Sequence, residues 1–238
     1  MSLTQLQKQT KWPAAKAIFS PSGTGPRLLA KLAQEKIQAA IRRCPDAGDA
    51  RVGILTKNPR CDDTEAPLAL VCEFPHPVSD HTLALCHRLA WLFVRAPLLV
   101  TVEPHQVKTW TCCEMPATEE ELPSGRGEIA EARLDLTASL SPSEQAAHAL
   151  HWVRLASGDF YRQFPDRFRR DERADRLLLE GLKYVRKRLQ KEGLDDDRIH
   201  DLLARIVFSQ FLFDRKDSDG RPALNTGLLS RLHEDGHL

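Results

Sequence analysis

The sequence predicts an α/β (α+β) fold in which a small mixed sheet is flanked by helices and followed by an all-helical segment. Residues 1–113 alternate helical periodicity with short apolar runs of strand type, in the order helix–strand–strand–helix–strand–strand. Residues 144–238 show almost only helical periodicity, and residues 114–143 are acidic, contain Pro and Gly, and are weakly periodic. We therefore expect an α/β domain over 1–113, a linker or exposed excursion over 114–143, and a helical domain over 144–238.

Local sequence signals predict each helix and strand of the first domain. The expected elements are a helix at 27–43, strands at 52–56 and 68–74, a helix at 79–94, and strands at 97–102 and 107–112. Pro26 stands near the first turn of the first helix, and Ser79 is a plausible N-cap of the second. Residues 1–12 are polar and are expected to be loose or to depend on a partner, and residues 14–19 fit a short strand or a helical turn.

The second half is predicted to contain helices at 144–156, 175–191 and 197–214. Four aromatic residues between the first two helices are expected to anchor the connection to the core: Phe160, Tyr161, Phe164 and Phe168. The last two helices read as a hairpin, because Gly193 stands where a C-cap belongs and residues 195–197 are three consecutive Asp residues that favour a helix start.

Charge and cysteine usage limit the function classes. The net charge of +1 conceals basic segments at 1–43 and 162–191 and an acidic segment at 114–131, and basic segments are typical both of phosphate-contacting surfaces and of solvated helix faces. The six cysteines include no CxxC pair and no signal peptide is evident, so we expect buried, reduced thiols in a cytoplasmic protein. Neither a metal site nor a cofactor is expected, nor is a membrane helix.

The order of elements is compatible with a nuclease-like fold, the α/β core of the PD-(D/E)xK nucleases, which hold magnesium with two carboxylates and use a nearby Lys. Glu73 ends a predicted strand where the second carboxylate would stand, but Pro75 occupies the position of the Lys. Asp62 or Asp63 would have to supply the first carboxylate. Glu73 is therefore at most a remnant of a catalytic site, and no other enzyme signature is found.

Two segments resemble the pre-catalytic region of N6-adenine DNA methyltransferases of restriction-modification and phage-defence systems. The first is LLLEGLKYVRKRLQKEGL, with LLARIVFSQFLFDR after it, within residues 177–215, and the second is HRLAWLFVRAPLLVTVEPHQVKTWTC at residues 87–112. Gly181 and Leu92 stand where this family usually has Asn. The chain contains no Pro-Pro pair and hence no Asn/Asp-Pro-Pro-aromatic motif, so it is not expected to be a methyltransferase itself.

The resemblance implies a non-catalytic DNA-contacting or partner-docking module that serves such a methyltransferase system. Its partners would be the DNA phosphate backbone and a methyltransferase subunit or a second copy. The residues expected to contact phosphates are Arg169, Arg170, Arg173, Lys183, Arg186, Lys187 and Lys191. Two alternatives remain open: a magnesium-dependent nuclease with a degenerate PD-(D/E)xK site, and a protein-protein interaction subunit that does not bind DNA.

Overall fold

The computed structural model describes residues 2–19, 27–57, 67–93, 95–136, 148–169 and 172–214. The chain divides into two compact units, Met1–Leu177 and Leu178–Leu238. The fold is mixed α/β, as predicted, with one five-stranded sheet in the first unit and a helical hairpin in the second.

The sheet of the first unit has the strand order β1-β2-β3-β4-β5. Its strands are β1 (Arg51–Leu55), β2 (Ala69–Glu73), β3 (Leu98–Val102), β4 (Gln106–Thr111) and β5 (Leu134–Asp135). β2 and β3 are parallel, and every other neighbouring pair is antiparallel. A parallel pair needs a crossover connection, which the helix between β2 and β3 provides. The predicted helix–strand–strand–helix–strand–strand order is confirmed.

Helices cover both faces of the sheet. Those of the first unit are α1 (Ser2–Thr10), α2 (Ala15–Phe19), α3 (Arg27–Ala33), α4 (Ala39–Ile41), α5 (Asp80–Phe93), α6 (Trp152–Ser157) and α7 (Asp159–Gln163), with a π-helical turn, Gln34–Gln38, between α3 and α4. The next helix, α8 (Ala174–Lys191), leads into the second unit, which holds α9 (Asp196–Asp214).

Two hydrophobic clusters form the core, one on each face of the sheet. Successive strand residues point to opposite faces, so Val71 joins one cluster while Leu70 and Cys72 join the other. The first cluster includes residues of α1, α2, α6 and α7, and the second includes residues of α3, α4 and α5. Because both faces are buried, the strands read as nearly continuous apolar runs.

The expectation that residues 1–12 are loose is wrong. Leu3 and Leu6 lie one helical turn apart in α1, and both are buried. The indole Nε1 of Trp12 donates a hydrogen bond of 2.8 Å to the carbonyl oxygen of Leu150. The segment is therefore a part of the core despite its polar composition. Residues 15–19 form α2, which agrees with the helical alternative.

The described part of the segment 114–143 is not an exposed excursion. Ile129, Ala132 and Leu134 are buried, and β5 pairs with β4. The carboxylate of Glu128, which is only 3% exposed, accepts two hydrogen bonds of 2.6 Å from Arg133. The boundary between the compact units falls after Leu177 rather than at 113 and 143. Acidic composition misled the prediction because the segment is held by contacts that composition does not reveal, such as the pairing of β5 with β4 and the burial of Glu128 beside Arg133.

The four aromatic residues after α6 anchor this part of the chain, as predicted. Phe160 is fully buried, and its ring lies 5.3 Å from that of Phe164 and 5.9 Å from that of Phe168, both in edge-on contact. The hydroxyl of Tyr161 donates a hydrogen bond of 2.8 Å to the carbonyl oxygen of Leu68 beside β2.

Among the helices of the described residues, none has both the length and the apolar character required to span a membrane.

Candidate nucleic-acid interface

The two helices of the hairpin begin and end within one residue of the predicted positions. Gly193 has a left-handed backbone (φ +88°), a conformation that glycine adopts without strain, and it stands two residues after the end of α8 at Lys191. Its N–H donates to the carbonyl oxygen of Gln190 at 3.1 Å. The carboxylate of Asp195 accepts a hydrogen bond of 3.0 Å from the backbone N–H of Arg198 and so caps α9.

Three lysines form a row along α8. Lys183, Lys187 and Lys191 are four residues apart, a spacing that places them on one side of a helix, and all three are exposed. Lys183 pairs with Glu180 at 3.0 Å. Lys187 and Lys191 have no ion pair with any residue in the part of the chain that the structure describes. Their ammonium groups are therefore available to an anionic partner.

A cleft of about 690 Å³ lies beside this row. Its lining includes Lys187 and Lys191 together with Tyr184 and Arg188. The Tyr184 side chain is 65% exposed, and Arg188 is exposed and also has no ion pair within the described residues. An exposed aromatic ring next to cations is suited to stacking on a base while the cations contact phosphates.

Tyr184 and Arg188 were missing from the set predicted from sequence. The signal was present, because Tyr184 precedes Lys187 by three residues and Lys191 by seven, and Arg188 follows it by four. These positions therefore share one helix surface. Selecting residues by charge alone excluded the tyrosine ring, and Arg188 was left out although it is as basic as the residues that were chosen.

Arg186 does not lie in the exposed row. Its guanidinium Nη2 contacts the Asp196 carboxylate at 3.1 Å, across the turn between the two helices. Hydrogen bonds from Gln190 and then from Arg186 lower the pKa of Asp196. Since Arg186 is half-buried and pairs with Asp196, we assign it to the packing of the hairpin rather than to a phosphate contact.

The remaining predicted arginines belong to the first unit. Arg173 pairs with Asp175 at 3.1 Å, and its side chain is only 20% exposed. Arg169 is exposed and lines a separate polar cavity of about 530 Å³ with Asp166 and Glu172. Arg170 lies outside the described residues. The predicted set thus divides between the exposed row on α8 and residues engaged elsewhere.

Glu73, the candidate remnant of a nuclease site, has a structural partner. It faces Arg51 on the neighbouring strand, and Arg51 Nε donates to its carboxylate at 2.8 Å. The Arg51 guanidinium also lies 4.6 Å from the ring centroid of Phe19. Asp62 and Asp63 lie outside the described residues, and within those residues no group of three or more His, Cys, Asp or Glu is arranged to hold a metal ion.

The buried nucleophiles and imidazole are also engaged in the core. The Sγ atoms of Cys72 and Cys86 are 3.3 Å apart, and burial raises the pKa of Cys72 and of Cys112. The His87 ring bonds to the Thr111 carbonyl oxygen at 2.8 Å, and burial lowers its pKa. The five described cysteines are buried, as predicted, and form no disulfide with one another. Thiols of this kind are inert rather than catalytic.

Because comparison with known proteins gives no match, the residues described above are the basis for assigning a function. No family model matches the sequence, and neither a curated protein nor a solved structure matches it.

Proposed function

We propose that the chain is a non-catalytic DNA-contacting module of a restriction-modification or phage-defence methyltransferase system, acting in the cytoplasm. The observation that carries the proposal is the exposed row of Lys183, Lys187 and Lys191 on α8, next to Tyr184 and Arg188. The link to a methyltransferase depends on the resemblance of residues 87–112 and 177–215, whereas the contact with DNA depends on the charges of α8.

The residues on and beside the lysine row favour phosphate binding over a purely solvated surface. The helix dipole stabilises cations in the last turn of a helix, which explains the positions of Arg188 and Lys191 without any partner but not that of Lys183. That effect does not require an aromatic side chain to remain 65% exposed beside them, as Tyr184 does. Lysine contacts to phosphates give affinity through the release of counterions, and they carry no base specificity.

Fluorescence anisotropy of a labelled DNA duplex tests the proposal. We expect binding that weakens steeply between about 50 and about 200 mM salt. Replacing Lys183, Lys187 and Lys191 by Ala should lower the slope of log affinity against log salt by about one for each lysine that contacts a phosphate. Tyr184→Ala should lower the affinity for single-stranded DNA more than the affinity for duplex DNA, because stacking requires an accessible base.

The matched control replaces three exposed basic residues of the first unit, Lys8, Lys36 and Arg43, by Ala. It removes the same formal charge and should leave the affinity nearly unchanged. An equal loss of DNA affinity in both variants would mean that binding depends only on the net charge of the chain. Binding that is insensitive to salt would contradict contact with phosphates.

Partner docking is the second candidate, and a specific observation favours it. Several large apolar side chains of the hairpin are exposed, among them Leu178 at 59% and Ile206 at 55%. Exposed apolar surface of this kind is typical of protein-protein contacts. Docking at Leu178 and DNA contact at Lys187 are compatible, because these residues are nine positions apart and lie on opposite sides of α8.

A further inference from the structure

Gly181 lies within α8 at a position where neither the backbone nor the packing requires glycine. Its backbone is that of an ordinary helix, and glycine is one of the poorest helix formers. A Cβ added at this position would meet nothing beyond its own helical turn within 4 Å. A residue that weakens its element without a structural gain is typical of a functional position. What Gly181 provides is open space on the surface of the helix.

Tyr184 borders this open space. It follows Gly181 by three residues, and residues at this spacing are neighbours on one surface of a helix. Within the described residues the Tyr184 ring contacts no other ring and its hydroxyl makes no hydrogen bond, whereas Tyr161, the other tyrosine of the chain, does both. A leucine or methionine at position 181 would pack on the ring. Because glycine stands there, the ring is uncovered on that side.

Cations continue the same surface toward the C-terminal end of α8. Lys187 and Arg188 follow Tyr184 by three and four residues and Lys191 follows it by seven, which corresponds to about 4.5, 6 and 10.5 Å along the helix axis. These four residues line the cleft of about 690 Å³, and its described lining contains one carboxylate, that of Glu192. Sites for small ligands have volumes of about 300–1,000 Å³. The surface therefore combines an open aromatic ring with an excess of positive charge.

A single DNA strand can use both parts of this surface, whereas a duplex can use only the cations. The bases of a duplex stack on each other, but an unpaired base can stack on a tyrosine ring. Counterion release alone favours the duplex, because three phosphate contacts make its binding about fourfold tighter at about 0.1 M salt. Stacking of one base raises the affinity by about 5-fold to about 150-fold, and this gain outweighs the advantage of the duplex.

We propose that this surface of α8 selects single-stranded DNA over duplex DNA. One unpaired base stacks on Tyr184 in the space left by Gly181, and phosphates of the adjoining nucleotides contact Lys187, Arg188 and Lys191. The proposal rests on the DNA contact proposed above, and it adds the form of DNA that is bound. The cations set the affinity for duplex, whereas the cations and the ring together set the affinity for a single strand.

Fluorescence anisotropy of the full chain with a labelled strand, alone and annealed to its complement, tests the proposal at about 0.1 M salt. The wild type should bind the single strand more tightly than the duplex. Tyr184→Ala should weaken binding of the single strand at least about fivefold and binding of the duplex less than about twofold, so that the preference is inverted. Tyr184→Phe keeps the ring and should keep the preference.

Gly181→Leu covers the ring without changing any charge. It should lower the affinity for the single strand at least about threefold and leave the affinity for duplex unchanged. Gly181→Ala is the matched control, because its methyl group is too short to cover the ring, and it should change neither affinity. Both variants are better helix formers than glycine, so circular dichroism should show no loss of helix. Phe208→Ala removes a similarly exposed ring from α9, and it should also change neither affinity.

The outcomes separate this proposal from the DNA contact on which it rests. Wild type that binds duplex at least as tightly as the single strand, with a loss in the triple lysine variant, would leave the DNA contact in place and overturn the selection of single strands. An equal loss of both affinities in Tyr184→Ala would overturn it as well. Failure of both forms of DNA to bind would contradict the DNA contact together with the selection.

Discussion

At the scale of single residues, Gly53 in β1 marks a close approach between the sheet and α2. A Cβ at this position would lie 2.5 Å from the backbone oxygen of Ile18 and 2.7 Å from the ring of Phe19. We expect Gly53→Ala to lower the free energy of unfolding by about 1–3 kcal/mol, because α2 has to move away from the sheet. Chemical denaturation measures the change.

Gly181 offers the matched control for that substitution. It lies within α8, and a Cβ added there would meet no other part of the chain within 4 Å. Gly181→Ala should therefore be neutral or stabilise the helix by up to about 1 kcal/mol. An equal loss of stability from both substitutions would contradict the close approach at Gly53, since it would reflect a general intolerance of alanine for glycine.

Single residues also show what sequence reasoning cannot supply. The sequence indicated that Glu73 ends a strand and lacks the Lys of a nuclease site. It did not indicate Arg51, because a partner 22 positions away is found only once the register of β1 and β2 is known. The same limit applies to Arg186, whose contact with Asp196 depends on how the hairpin closes.

At the scale of elements, α5 begins at a cap that makes stability depend on pH. The Ser79 N–H and the Thr82 hydroxyl each donate to the Asp46 carboxylate at 2.6 Å. Partial burial raises the pKa of Asp46, but these hydrogen bonds outweigh burial and lower it from 3.8 to about 2. The contribution of the cap is therefore complete above about pH 4 and is lost as the pH falls through 2.

Replacing the Asp46 carboxylate by an amide tests the cap. Asp46→Asn should cost about 1 kcal/mol at neutral pH, a typical value for a helix cap, and the difference from wild type should shrink below about pH 4. Urea denaturation of both proteins at a series of pH values measures it. A difference that stays constant down to pH 2 would assign the loss to packing rather than to the ionised carboxylate.

The elements themselves were predictable where their signal is local. The helices and strands from 27 to 112 and the two helices of the hairpin follow from periodicity and capping within a few residues. The helix α1 and the segment 114–136 were misjudged because long-range contacts hold them, such as that of Trp12 with Leu150. The alignment of Lys183, Lys187 and Lys191 could be predicted from the sequence, because it depends only on the spacing of residues within one helix.

At the scale of the whole molecule, the two units differ in how many buried apolar residues they contribute to a hydrophobic core. Both hydrophobic clusters are built from residues of the first unit, including the fully buried Leu70, Leu98 and Phe160. The described part of the hairpin buries only Ile199. Local stability follows the amount of buried apolar surface, so the hairpin should open far more often than the sheet.

Hydrogen exchange detected by mass spectrometry tests this difference. Amides of α8 and α9 should exchange at least about 100-fold faster than those of β2 and β3, because the described part of the hairpin buries so little apolar surface. A factor of about 100 in the opening equilibrium corresponds to about 2.7 kcal/mol. Exchange that is equally slow in the hairpin and in the sheet would show that the hairpin has stabilising contacts beyond its two helices, and it would refute the expected difference between the units.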